Sequence, residues 1–155
     1  MPKLVGYNTN LAAEFYVLSV LHRKGISASL TLGNRKAIDI VVETPDRTIT
    51  IDVKGMASRT NWPLDNFDSE MRLNHYVALA SFNNKIADHT KLPTVYLVPA
   101  VDIPKFFYTN PKGTRRTIQF SKMRDNGSQY LEAWGSLELP AKSIVKVRRR
   151  ARLNP

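Results

Sequence analysis

Cysteine is absent from this 155-residue chain, which excludes disulfides, a thiol nucleophile and a cysteine-ligated zinc site. Long apolar runs are absent too. None approaches the roughly 18 residues that span a bilayer, and the Met1-Pro2-Lys3 start has no signal-peptide core. The expectation is an intracellular protein, cytoplasmic or nucleoid-associated, with no membrane partner. Histidine is scarce, and His22, His75 and His89 share no metal-ligand spacing. There is no G-x-G-x-x-G or P-loop run to hold a nucleotide, and no G-x-S-x-G serine motif. Acidic residues are few: 13 Asp and Glu stand against 23 Lys and Arg, a formal charge of +10. That imbalance favours a polyanionic partner, nucleic acid ahead of an anionic membrane surface, with charge that merely aids solubility as the alternative. What the chain does have is 43% hydrophobic residues, enough for a globular core.

The simplest division is one domain over residues 1–140 and a basic C-terminal arm over 141–155. After Glu138 no acid occurs, while Lys142, Lys146, Arg148, Arg149, Arg150 and Arg152 follow. Such an arm suits phosphate contact, and a solvated tail without a role is the alternative. Along the domain, Asn10 is placed to cap a helix from Leu11 to about Lys24, closed by Gly25. Its apolar stripe is Leu11, Phe15, Leu18 and Leu21, widened by Val17 and Val20, with Glu14 on or beside it. Strand character follows at 26–32, 37–43, 48–54, 75–82 and 94–98, with a polar loop at 56–65 and another at 83–92. Short helices are expected at 64–73, 101–108 and 128–134, and a minor strand at 114–120.

The centre of interest is the hairpin Ala37 to Gly55, AIDIVVETPDRTITIDVKG. Two β-type runs flank Thr44-Pro45-Asp46-Arg47, which has turn composition. With the turn centred on Pro45-Asp46, Asp39 falls directly opposite Asp52, and Lys54 shares their face. The first face of each strand, Ile38, Ile40 and Val42 with Ile49, Ile51 and Val53, reads as buried; the opening helix is expected to cover the second. Facing carboxylates about 5 Å apart repel by about 3 kcal/mol at an effective dielectric near 20. A cation would turn that cost into a binding site. Magnesium needs few protein ligands, all oxygen, so two carboxylates and a backbone carbonyl suffice. An ammonium on the same face could orient a water or serve as acid or base. A structural ion pair and solvent-facing acids are the competing readings.

The ordered pattern Glu14, Asp39, Asp52-Val53-Lys54 resembles the signature of the PD-(D/E)XK nuclease superfamily, which includes restriction endonucleases and Holliday-junction resolvases. The match covers residues 10–55 and extends loosely to about residue 99. Ile38 stands where the name-giving proline would be, a position poorly held across the superfamily. The resemblance implies an α/β fold, a restriction-endonuclease-like α/β/α core with a central mixed β-sheet and the N-terminal helix packed on the catalytic hairpin. It implies Mg2+-dependent phosphodiester hydrolysis, with Mn2+ substituting. Asp39, Asp52 and the Val53 carbonyl would hold metal, Glu14 would do so directly or through water, and Lys54 would position the attacking water or stabilise the transition state. DNA is the expected partner, contacted by Arg35, Lys36, Arg59, Lys146, Arg148, Arg149 and Arg150, with Arg115, Arg116 and Lys122 as further groove candidates. By analogy with small nucleases that pair to cut both strands, a homodimer is compatible. A nucleic-acid-binding module with weak or lost catalysis, and an RNA-processing nuclease, are the alternatives.

Overall fold

The computed structural model describes residues 6–31, 38–68, 70, 73–113 and 115–138. The chain opens with helix α1, Gly6–Arg23, so Asn10 lies inside the helix rather than capping it. Its C-terminus closes as expected on Gly25, whose φ of 74° is a left-handed conformation that suits glycine. Gly25 N–H donates to the His22 carbonyl and Ile26 N–H to the Leu21 carbonyl, the paired bonds of a Schellman cap.

The strands follow as β1 (Ala28–Leu30), β2 (Ile40–Glu43), β3 (Thr48–Met56), β4 (Asn61–Pro63), β5 (His75–Ser81) and β6 (Thr94–Pro99). A 3-10 helix, Ala100–Phe106, leads into β7 (Phe107–Thr109), then β8 (Arg116–Gln119) and helix α2 (Phe120–Asn126). Two more 3-10 turns, Ser128–Tyr130 and Trp134–Leu137, end the described chain.

Five strands form a central mixed sheet in the order β1-β2-β3-β5-β6, in which β3 and β5 run parallel and every other neighbour is antiparallel. A second, antiparallel sheet has the order β4-β8-β7. Alternation assigns each central strand two faces. Ile49, Ile51 and Val53 of β3, Tyr76, Ala78 and Ala80 of β5, and Val95 and Leu97 of β6 share a core with Ala13, Val17 and Leu21 of α1. Val77, Leu79, Tyr96, Val98 and Met56 point the other way and meet Trp62, Ile118, Phe106, Phe120 and Met123. Trp62 fastens the two sheets: it is fully buried, and its indole N–H donates to the Ala80 carbonyl at 3.0 Å. One outer layer is thus a helix. The other, where an α/β/α core would carry helices, is the second sheet with α2 and short 3-10 segments.

Four local expectations need correction. The buried stripe of α1 is Ala13, Val17 and Leu21, while Phe15 is 55% exposed. Apolar residues run round most of this helix, so periodicity leaves its face open, and small-on-small packing decides it. A Cβ on Gly55 would lie 2.8 Å from the Ala13 Cβ and 2.9 Å from the Thr9 carbonyl oxygen, which shows how closely α1 approaches β3. The loop at 56–65 contains β4, held by pairing with a strand more than fifty residues away. Helix was expected at 64–73, but the described residues there are turns and irregular chain. Helix was also expected at 128–134; only single 3-10 turns form there, while α2 begins where the minor strand ends. The arm at 141–155 lies outside the described residues. No helix among the described residues is long and apolar enough to cross a membrane.

Candidate functional site

The hairpin register is the expected one. Ile40 pairs with Ile51, Val41 with Thr50, Val42 with Ile49 and Glu43 with Thr48. The turn is closed by Thr44 and Arg47, whose backbones bond at 3.0 Å while the Thr44 hydroxyl donates to the Arg47 carbonyl at 2.9 Å. The correction concerns the face. With Ile49, Ile51 and Val53 turned toward α1, alternation turns Asp52 and Lys54 away from it, to the side bearing the second sheet. The helix covers the large β-branched face because that is where apolar area is removed from water.

Asp39 lies one residue before β2. Its N–H donates to the Ile51 carbonyl at 2.9 Å, so Asp39 and Ile40 both address Ile51, the two-against-one count of a β-bulge. The bulge frees the Asp39 side chain from strict alternation. Oδ2 accepts the Val53 N–H at 2.7 Å, the donor that an unbroken ladder would have offered to Ile38. The Ile38 carbonyl instead accepts the Thr31 hydroxyl at 2.6 Å. A carboxylate therefore sits in the gap where β2 and β3 part.

There Asp39 meets Asp52 within hydrogen-bonding reach. Asp52 is 2% exposed and its Oδ1 takes the Lys54 ammonium at 2.9 Å, with the lysine side chain 24% exposed. Burial first, then the hydrogen bond and negative charge of Asp52, push the Asp39 carboxyl up to about 6, against the opposing pull of the Val53 N–H and Lys54. Glu14 stands across the junction on α1. Its pKa is raised by burial and by the Asp39 charge, while its bond to Asn10 and the charge of Lys54 pull it down. Asn10 is the bridge: its amide donates to Glu14 Oε1 at 2.8 Å and its carbonyl oxygen accepts the Gly55 N–H at 2.9 Å. The structure thus gathers Asp39, Asp52 and Lys54 directly and holds Glu14 beside them. No group of three or more His, Cys, Asp or Glu among the described residues is close enough to hold a metal ion by itself.

Of the expected nucleic-acid contacts, Arg59 is exposed in the bend after β3, with Nε on Asn83 Oδ1 at 3.0 Å and its guanidinium 5.9 Å from the Phe120 ring centre. Arg115 makes a loose exposed pair with Asp65 at 3.6 Å. Arg116 stacks on Phe107 and reaches the Phe67 carbonyl at 3.3 Å. Lys122 is half-buried on α2. Arg35, Lys36, Lys146, Arg148, Arg149 and Arg150 lie outside the described residues. Sequence reasoning missed Asn10 as part of the site. Its signal was the four-residue spacing to Glu14, at which an amide and a carboxylate meet on a helix.

Comparison with solved structures finds a bacterial homing endonuclease, I-Ssp6803I, at a TM-score of 0.57 and 14% identity, covering 93% of this chain and 99% of that one. The chain shares that protein's overall fold. No protein-family model matches it, and no curated protein does.

Proposed function

We propose that the chain is a metal-dependent nuclease that hydrolyses DNA phosphodiester bonds, a member of the PD-(D/E)XK group by the pattern Glu14, Asp39, Asp52-Val53-Lys54. The observation that carries this reading is the forced proximity of the Asp39 and Asp52 carboxyls, with Lys54 ion-paired to one of them. The donor set fits Mg2+. It is all oxygen, and it carries excess negative charge at the acid pair. Asp39, Asp52 and the Val53 carbonyl would hold the ion, and Glu14 would reach it through water. When bound, the ion neutralises charge growing on the phosphate and lowers the pKa of a water.

The chain's own groups supply the rest. Lys54 reaches solvent while anchored on Asp52, so it can orient a water toward phosphorus and offset charge on the phosphate oxygens. Glu14 is more basic than an ordinary carboxylate because it is buried beside Asp39, and it suits acceptance of that water's proton. The water oxygen bonds to phosphorus as the ester bond on the far side breaks. The fold shared with a homing endonuclease supports DNA as the substrate.

The test is a nicking assay with Mg2+ or Mn2+ on duplex, junction, flap and single-stranded DNA, with matched RNA. Cleavage is expected on DNA and lost in EDTA, in Asp52→Ala and in Lys54→Ala. Wild-type protein that binds DNA yet cuts none of these substrates overturns the proposal. The absence of a three-carboxylate cluster among the described residues favours, as the second reading, a binding module with weak or lost catalysis. Calorimetry showing no divalent-metal binding would select it.

A further inference from the structure

The second sheet has a face that the core does not use. Trp62, Ile118 and Phe107 turn inward, so alternation turns Asn61 and Pro63 of β4, Thr117 and Gln119 of β8, and Tyr108 of β7 outward. Asn61 faces Gln119 across β4 and β8, and Thr117 lies between Pro63 and Tyr108. Asn61 is exposed, Gln119 is half-exposed, and neither amide has a protein partner among the described residues. The face carries no charge of its own. The chain around β7 and β8 carries one sign, with six Lys or Arg and no acid between Asp102 and Asp125, while three acids, Asp65, Asp68 and Glu70, follow β4. Lys112 is exposed on the β7–β8 turn, Arg59 is exposed just before β4, and Arg115 holds only the loose surface pair with Asp65.

We propose that this outer face lies in the major groove of duplex DNA and reads its sequence. This rests on the nuclease reading for its partner, and it adds where and how the substrate is recognised. Asn and Gln amides offer a donor and an acceptor side by side, the pairing an adenine edge presents in the major groove, and Thr117 can meet a thymine methyl. Three strands at about 4.8 Å spacing put the outer two about 10 Å apart, against a groove about 12 Å wide. The cations at the rim supply phosphate contacts that set register and orientation. The A-form RNA major groove is too deep and narrow for such a face. A single-strand stacking platform needs several aromatics, whereas Tyr108 is the one aromatic here. Asn61 lies seven positions after Lys54, at most about 25 Å of extended chain. The reader therefore lies within one turn of B-DNA, about 34 Å, of the scissile position.

The test selects duplexes from a randomised DNA pool with the Lys54→Ala protein in magnesium, and it measures binding rather than cutting. A chain that never cuts still answers it. A preferred sequence is expected, bound at least tenfold tighter than random duplex. Asn61→Ala with Gln119→Ala should reduce that ratio by about tenfold while affinity for random duplex stays within twofold. Gln119→Glu, an acid set among phosphates, should weaken binding to every duplex. Thermal unfolding of each variant should match the parent, since these side chains are on the surface. No sequence preference, an unchanged ratio in the double variant, or equal binding of matched RNA duplex would each overturn the proposal.

Discussion

At the residue scale the acid pair makes a signed prediction. Asp39 has a folded-state pKa of about 6 against an ordinary 3.8, chiefly because it is buried. An acid whose pKa is raised by folding favours the folded state below the unfolded value and loses that contribution as pH rises through the folded one. In EDTA, the contribution of Asp39 to stability should therefore fall between about pH 4 and pH 6. Asp39→Asn should flatten that part of the profile of Tm against pH. Metal and proton compete for the same carboxylate, so the affinity for Mg2+ should rise about tenfold per pH unit below 6 and level off above it, as titration calorimetry would record. Asn10→Ala removes the acceptor for the Gly55 N–H and the donor that holds Glu14. A cost of about 1–3 kcal/mol in urea denaturation is expected. A fall of at least tenfold in kcat with little change in KM is also expected, because Glu14 is misplaced while DNA contacts survive. Asp52 and Lys54 sharing a face was legible because strand alternation is geometric. The reach of Asp39 to the Val53 N–H was not, since it depends on a bulge at Asp39, whose N–H bonds to β3 while its carbonyl accepts from Thr31 after β1.

At the scale of elements, the contact of α1 with β3 is the joint on which the site depends. Glu14 and Asn10 come from the helix, Asp52 and Lys54 from the strand, and Gly55 lets the two approach. Gly55→Ala would drive a methyl into Ala13 and the Thr9 backbone at under 3 Å, and the backbone atom cannot swing aside. Pushing α1 off the sheet should lower stability by about 1–3 kcal/mol in urea denaturation. It should also reduce nicking more than Asn10→Ala does, because it displaces Glu14 together with its anchor. Strands β2, β3, β5 and β6 were legible: β2 and β3 alternate β-branched residues buried on one face, and β5 and β6 are apolar runs buried on both. β4 was not, because Asn61-Trp62-Pro63 has no strand pattern of its own and exists through pairing with β8. The helix could be placed along the chain but not rotated correctly. Its apolar residues surround it, and Ala13, the weakest of them in hydrophobic terms, is the one the close packing selects.

At the scale of the whole molecule, charge and architecture are divided in a way that suits a polyanion. The acids of the site are confined to the seam where β2 and β3 part, with Glu14 beside it on α1, while the strands of the second sheet have none. A phosphate backbone would be attracted to the molecule broadly and repelled locally at Asp39 and Asp52, unless a cation occupies that seam. Binding should then have two parts. One is salt-dependent attachment that needs no metal, and the other is close approach at the seam that does. The residues from 141 to 155 hold six of the chain's 23 Lys and Arg, and these are expected to serve the first part alone. Deleting them should reduce the slope of log affinity against log salt by up to about 5, at about 0.9 for each phosphate that the arm neutralises. The nicking rate at saturating DNA and low salt should stay within about twofold of the full chain. Filter binding across a salt series, paired with single-turnover nicking, checks both. An unchanged slope would mean that the arm makes no phosphate contacts. A collapsed single-turnover rate would mean that the arm belongs to the chemistry of the seam as well as to attachment.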